Sequence, residues 1–197
     1  MIVDTHRPNY MQIKIIKAKT DQELLGILNL QRSNLRQNLT EEEMQNQGFV
    51  TLEYDFDFLK AMPAGNHHVI AKDGEEVIGY ALLMDRSTNH LMTTGAGIFP
   101  IFHEIEYKGK KFRDINYVSV GQVCVAKDYA GRGLLKRMYD YYKESYEHLY
   151  DLAMTDIALQ NKRSIKAHLK SGFEIVKTFL EPDAQENWEI VVWDWRD

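Results

Sequence analysis

The stretch Gln122-Val-Cys-Val-Ala-Lys-Asp-Tyr-Ala-Gly-Arg-Gly-Leu-Leu-Lys-Arg-Met138 decides the fold. It continues an apolar run, Val118 to Val125, that reads as a buried strand. It then passes through Gly131-Arg132-Gly133 and enters an amphipathic pattern near Leu134. Leu134, Met138, Tyr141 or Tyr142, Ser145 and Leu149 recur on one helical face, with Lys136, Arg137, Asp140, Lys143, Glu144 and Glu147 on the other. A strand handed through glycines into a helix start leaves unsatisfied backbone N–H groups facing a space that no Cβ fills. Such a junction suits a phosphate or pyrophosphate. A Gly-x-Gly turn alone more often only joins two elements, so a second feature has to agree with it.

The bulk composition narrows the class. A length of 197 residues suits a single domain spanning 1–197 with a substantial core. The net charge of −5 argues against a general nucleic-acid or anionic-membrane binder, either of which wants a basic face. It leaves room for a cationic substrate such as an amine. One cysteine excludes an internal disulfide framework and fits a reducing compartment. No apolar run approaches the roughly 20 residues of a membrane span, and the first residues lack a signal-peptide pattern. The expectation is a cytoplasmic enzyme or binding domain.

Along the chain, Met1 to Asn9 is unpatterned and Met11 to Lys17 alternates as a first strand, with Ile13 and Ile15 on one face. Thr20 or Asp21 caps a helix that buries Leu24, Leu25, Ile27, Leu28 and Leu30. Thr40 and Glu43 form a capping box for a second helix, closed by Gly48. Asp55 to Met62 is a short helix stopped by Pro63. His68 to Lys72 and Glu76 to Met84 are strands joined by the turn Lys72-Asp73-Gly74-Glu75, whose Asp-Gly pair is a hairpin signal. From Asp85 to Asn116 the pattern is irregular, with helical spacing at Ile98, Ile101, Phe102 and Ile105 and a turn at Tyr107 to Lys111; lying just before the central strand, this insertion is placed to wall a pocket. Asp151 to Leu159 is a strand, Asn161 caps a helix to about Lys170, and Gly172 with Phe173 makes a Schellman-type stop. Phe173 to Leu180 and Trp188 to Trp195 are the last strands, connected by Pro182 to Asn187. The order β-α-α-β-β-β-α-β-α-β-β describes an α/β domain with a mixed sheet.

The second feature is Asn161-Lys-Arg-Ser-Ile-Lys-Ala-His-Leu-Lys-Ser-Gly-Phe173. Together with Val125-Ala-Lys-Asp-Tyr-Ala-Gly-Arg-Gly-Leu134, it resembles the GNAT superfamily of acetyl-coenzyme-A-dependent N-acetyltransferases. Gly131, Arg132 and Gly133 match the family's Gln/Arg-x-x-Gly-x-Gly/Ala junction, while Asp128 stands where Gln or Arg is usual and Ala130 where Arg is common. The later motif, Asn-x-x-Ala-x-x-Leu-Tyr-x-Lys-x-Gly-Phe, aligns without a gap: Asn161, Ser164, Ala167, Lys170, Gly172 and Phe173 fall in register, and His168 takes the tyrosine position. The resemblance is residue-level over about Gln122 to Phe173. It implies an α/β (α+β) fold: a twisted mixed β-sheet of about six to seven strands with splayed central strands, and helices on both faces. It also implies acetyl-CoA as the cofactor. Its pyrophosphate would sit on Ala130, Gly131, Arg132, Gly133, Leu134 and Leu135, with its pantetheine arm along Val123, Cys124 and Val125 and against Asn161.

Direct acetyl transfer needs a neutral amine, an oxyanion site and a departing thiolate. An amine of pKa about 10.4 requires a base or water chain at neutral pH. His168 is the expected donor to the thiolate in place of the family tyrosine, weighed equally against an ordinary helix histidine. Gln122, on the central strand, either orients a water or satisfies backbone groups. Glu104, Glu106 and Asp156 are candidates for the base, each more often a surface carboxylate. Backbone N–H groups near Val123 or Cys124 are natural oxyanion donors. Cys124 reads as a small buried residue rather than a nucleophile. Arg132 either meets a phosphate or is an exposed loop residue; Lys136 and Arg137 read as a solvated helix face. His67-His68 lacks companions at metal-ligand spacing, so no metal is expected. Trp188, Trp193 and Trp195 read as packing in the last strand.

Three function classes follow. The first is an N-acetyltransferase acting on a small-molecule or peptide amine in a ternary complex, with no nucleic-acid or membrane partner; a homodimer is common in such families. The second is a non-catalytic acyl-CoA-binding regulatory module. The third, an unrelated nucleotide-phosphate binder, lacks a P-loop ending and the spaced acidic residue of a dinucleotide fold. Residues Gln31 to Thr51 and Ser87 to Lys111 are expected to border the acceptor side.

Overall fold

The computed structural model describes residues 13–62, 68–91, 98–181 and 185–196; the expectations for Met1 to Asn9, Pro63 and residues 182–184 fall outside them. The decisive stretch folds as read. β6 (Tyr117–Val125) lies at the middle of a seven-stranded sheet and leads through the glycine turn into α5 (Leu134–Tyr146). The remaining strands are β1 (Lys14–Lys17), β2 (Val69–Asp73), β3 (Glu76–Met84), β7 (Leu152–Ala158), β8 (Glu174–Glu181) and β9 (Glu186–Asp194), in the order β1-β2-β3-β6-β7-β9-β8. Every neighbouring pair is antiparallel except β6 with β7. That parallel pair is brief. It registers Tyr117 with Leu152, Val118 with Ala153 and Ser119 with Met154, although both strands run further. Thr155 Oγ1 donates to the Val120 carbonyl at 2.8 Å as a last link, and beyond it the strands part. The sheet is therefore mixed and its central strands splay.

Local chemistry fixes the helices. Thr20 caps α1 (Asp21–Asn34) and Thr40 caps α2 (Glu41–Gln47), each with its N3 glutamate in a reciprocal capping box. Asp55 caps α3 (Phe56–Ala61). Asn161 accepts from Ser164 N–H to start α6 (Lys162–Lys170). At the far end of α6, Phe173 N–H bonds the His168 carbonyl and Gly172 N–H bonds that of Leu169, the two bonds of a Schellman motif. Gly172 holds φ at +108°, and a Cβ there would lie 2.8 Å from the Trp193 indole nitrogen. The hairpin turn is Gly74-Glu75, one residue later than its strand pattern suggests.

Alternation along the strands sorts the core onto two faces. On one, Val118, Val120, Ala153, Ile157 and Val191 pack against Leu134, Met138, Tyr139 and Tyr142 of α5 and Ile165 of α6. On the other, α1 and α3 cover Ile70, Tyr80, Leu82, Met84 and Cys124. The insertion after β3 supplies α4 (Ile98–Glu104) and a small hairpin of β4 (Glu106–Tyr107) and β5 (Lys110–Lys111). Its Phe102, Ile105, Tyr107 and Phe112 cover Met154, Phe179, Ile190 and Val192 on the same face.

Two burial expectations fail for geometric reasons. Leu25 is 44% exposed because it sits at the edge of the α1 stripe that Leu24 and Leu28 centre. Leu149 is 54% exposed because α5 ends at Tyr146, so the helical periodicity no longer applies to it; Tyr139 and Tyr146 fill the buried face. Of the strand expected over Met11 to Lys17, the described part is β1 (Lys14–Lys17), while Met11 and Gln12 lie outside the described residues.

Candidate functional site

The glycine turn opens onto a cavity of about 530 Å³. Gly131 and Gly133 have φ of +76° and +78°, a left-handed backbone that aims the chain into α5 while leaving the approach bare. A Cβ at Gly133 would meet nothing within 4 Å, and one at Gly131 only an Arg163 guanidinium nitrogen at 3.8 Å. The space that side chains leave empty here faces the start of a 13-residue helix, whose first N–H groups have no partner within the helix.

Nine of the ten residues expected to bind cofactor line this cavity: Val123, Cys124 and Val125 from β6, Ala130, Gly131, Gly133, Leu134 and Leu135 from the turn and α5, and Asn161 from the start of α6. Arg132 is exposed and is not on the wall. Its place as a basic lining residue is taken by Arg163, Lys166 and Lys170 of α6, with Lys136 of α5. Arg163 and Lys166 were legible in principle, standing two and five residues after Asn161 on the helix that faces the turn. The opposite wall comes from residues 47–50. Asn161 fastens that wall: its Oδ1 accepts from Ser164 N–H, and its Nδ2 donates to the Phe49 carbonyl at 2.8 Å.

His168 also lines the cavity but is buried between two partners. Nδ1 lies 2.8 Å from the Ser164 carbonyl, which can only accept, so Nδ1 carries the proton. Nε2, 2.7 Å from the Tyr139 hydroxyl, then accepts. Burial pushes the imidazole down to about 4, partly opposed by the Ser164 bond. The ring is neutral at pH 7, and in this arrangement neither nitrogen holds a proton free for a departing thiolate.

On the other face of the splay lie Gln122 and Cys124 of β6 and, by alternation from Met154, Asp156 of β7. Gln122 is committed at both ends of its amide: Nε2 donates to the Leu52 carbonyl at 2.8 Å, and Oε1 accepts from the Tyr80 hydroxyl at 2.6 Å. Burial pushes the Cys124 thiol up to about 12, so it rests protonated. The three candidate bases separate sharply. Glu104 is held below the usual carboxylate range by Lys111 and Arg113, which it pairs at 2.6 and 2.7 Å on the surface. Glu106 is exposed in β4. Burial raises the Asp156 carboxyl to about 7, with the charge of Glu181 adding to the effect. Among the described residues no group of three or more His, Cys, Asp or Glu side chains is placed to hold a metal ion. His68 is buried, its Nδ1 accepting from Leu83 N–H at 3.1 Å, and His67 lies outside the described residues.

The sequence pattern of the acetyltransferase (GNAT) family matches residues 27–173, from α1 through the Gly172-Phe173 stop. The chain belongs to this family. No match was found among curated proteins. Solved GNAT structures share the architecture at low identity. The ribosomal-protein-S18-alanine N-acetyltransferase of Escherichia coli superposes with a TM-score of 0.58 at 9% identity, over 92% of this chain and 93% of that one. The yncA protein of Salmonella typhimurium, solved with its cofactor acetyl-CoA, gives 0.61 at 17%, over 94% and 95%. Naa50 of Arabidopsis thaliana, in complex with the bisubstrate analogue CoA-Ac-MVNAL, gives 0.59 at 14%, over 93% and 99%. The GNAT membership and the splayed sheet agree with the reading of the two motifs.

Proposed function

We propose that this GNAT chain moves an acetyl group from acetyl-coenzyme A to a primary amine by direct transfer within a ternary complex. The observation that carries the reading is the gap between β6 and β7, which opens a cavity with a bare anion cradle at one end. The residues fit the cofactor: backbone N–H groups and Arg163 suit its phosphates, and the unpaired edge of β6 at Val123 and Val125 suits an amide-rich arm. Acetyl-coenzyme A, when bound, supplies an activated acyl carbon on a thioester. Backbone N–H groups near Val123 and Cys124 serve as oxyanion donors. Gln122 acts as a positioning residue that ties β6 to Leu52 and Tyr80. His168, with Tyr139 and Ser164, shapes the wall beside the reacting end. A thiol of pKa about 8–9 leaves without a strong acid, which makes a proton donor the most dispensable group.

The acceptor class rests on neighbours of the same fold. One is a spermidine N-acetyltransferase chimera from Vibrio cholerae and hSSAT, and Naa50 carries the bisubstrate analogue CoA-Ac-MVNAL. Thiol release measured across polyamines, small amines and peptides, beside calorimetric coenzyme A binding, tests the proposal. Release with at least one amine is expected. Binding without release from any amine would favour the second reading, a non-catalytic acyl-CoA-binding module, which the two engaged nitrogens of His168 motivate.

A further inference from the structure

Four features of Asp156 stand together. It follows Thr155, whose hydroxyl makes the last link between β6 and β7, so it sits at the point where the strands part. Its side chain takes the face opposite α5 and α6, because Ala153 and Ile157 occupy theirs and Met154 packs with α4. It keeps partial exposure while its neighbours 152–155, 157 and 158 are buried. Groups from two elements lie within Coulombic reach of it across that space, the Tyr54 phenol from the segment before α3, which feels the charge of Asp156, and Glu181 from β8, whose charge acts on Asp156; β6 presents Gln122 and Cys124 and β9 places Ile190 opposite it. A carboxylate with access, at the apex of the gap and away from the cofactor wall, has the placement of a proton acceptor rather than of a fold-stabilising ion pair.

Resting on the acetyl-transfer reading above, we infer that Asp156 takes the proton from the acceptor's ammonium, and that the acceptor enters as a cation from the face opposite α5 and α6. In the step, one ammonium proton passes to an Asp156 carboxylate oxygen. The electrons of that N–H bond become the lone pair that forms the C–N bond to the acyl carbon as the C–S bond breaks. The departing sulfur receives the second surplus proton of the nitrogen, and Asp156 returns its own to solvent through the open side of the cleft. Net, the ammonium and the thioester give amide, thiol and one released proton. Glu181 is a positioning residue in this scheme: buried, and acting on Asp156 through its charge, it favours the proton-holding form of Asp156 and draws a cation inward. With the carboxyl at about 7, Asp156 holds both protonation states near neutral pH, as a general base requires.

The test compares wild type, Asp156→Asn and Glu181→Gln across pH 5.5–9 by thiol release, with coenzyme A affinity measured by calorimetry. Wild-type kcat/KM is expected to rise with pH through about 7. Asp156→Asn should lose that limb and fall by about 10²–10⁴ with an ordinary alkylamine, while binding coenzyme A like wild type. With a weakly basic amine that arrives neutral, such as trifluoroethylamine, the deficit should shrink at least tenfold, because no proton has to be removed before attack. Glu181→Gln should move the limb to lower pH. Equal deficits with both amines, an unchanged limb in Asp156→Asn, or an unmoved limb in Glu181→Gln would each overturn the assignment. A wild type that neither binds coenzyme A nor releases thiol would refute the acetyl-transfer reading itself, and this one with it; wild-type turnover with unaltered Asp156→Asn behaviour refutes only this one.

Discussion

Two desolvated groups titrate in opposite senses, and replacing one should expose the other. His168 is pushed from 6.5 to about 4, and Asp156 is raised from 3.8 to about 7. Between pH 6.5 and 4 the unfolded chain binds a proton at His168 that the folded chain refuses, so this group lowers stability as pH falls. Between pH 3.8 and 7 the folded chain keeps a proton on Asp156 that the unfolded chain has released, so this group lowers stability as pH rises. Each slope is about 1.4 kcal/mol per pH unit, and over the shared window of pH 4 to 6.5 they cancel. His168→Gln keeps an acceptor for Tyr139 and a donor for the Ser164 carbonyl but does not titrate. The stability of wild type minus that of His168→Gln should therefore drop by about 3 kcal/mol from pH 7 to pH 4. In the same range Asp156→Asn should gain on wild type as pH rises, by about 3 kcal/mol. Urea unfolding followed by tryptophan fluorescence at half-unit pH steps gives both differences, and carboxylates common to the proteins drop out of the subtraction. Difference curves that stay flat from pH 4 to 7 would refute the oppositely shifted pair.

Gly133→Ala meets no neighbour and costs only left-handed strain, about 1–2 kcal/mol, yet it fills the anion cradle; a Tm loss of about 2–8 °C and at least tenfold weaker coenzyme A binding are expected. Gly172→Ala adds a 2.8 Å approach to Trp193 at φ +108°, so it should unfold more readily than Gly133→Ala in the same thermal scan. Arg163→Ala should leave Tm unchanged, weaken coenzyme A binding about tenfold and flatten its salt dependence, as titrations at two ionic strengths would reveal. Tyr139→Phe strands the buried Nε2 of His168 without a donor and should cost about 1–3 kcal/mol in chemical denaturation.

Much of the fold was legible because its signals are local. The Thr20 and Thr40 capping boxes, the Asn161 cap, the Gly172-Phe173 stop and the Asp73-Gly74 hairpin each depend on residues within a few positions. The errors arise where a neighbour distant in sequence decides. Leu149 continues a helical period that the chain no longer follows, and Arg163, 32 residues after Gly131, approaches the bare face of that glycine while the adjacent Arg132 stays off the cavity wall. Gln122 and His168 were recognisable as polar residues on apolar elements, but their commitments to Leu52, Tyr80 and Tyr139 lie 29 to 70 residues away.

The sequence by itself determined the glycine turn into α5, the succession of the seven sheet strands and the family, because glycines, caps and alternation act over short range. Only the tertiary structure separated Asp156 from Glu104 and Glu106. The three are the same kind of group in sequence. Partial desolvation at the parting of β6 and β7, with the charge of Glu181, raises the proton affinity of Asp156, whereas Lys111 and Arg113 lower that of Glu104 at the surface. Desolvation and charge are properties of the assembled neighbourhood, and no run of residues encodes them alone.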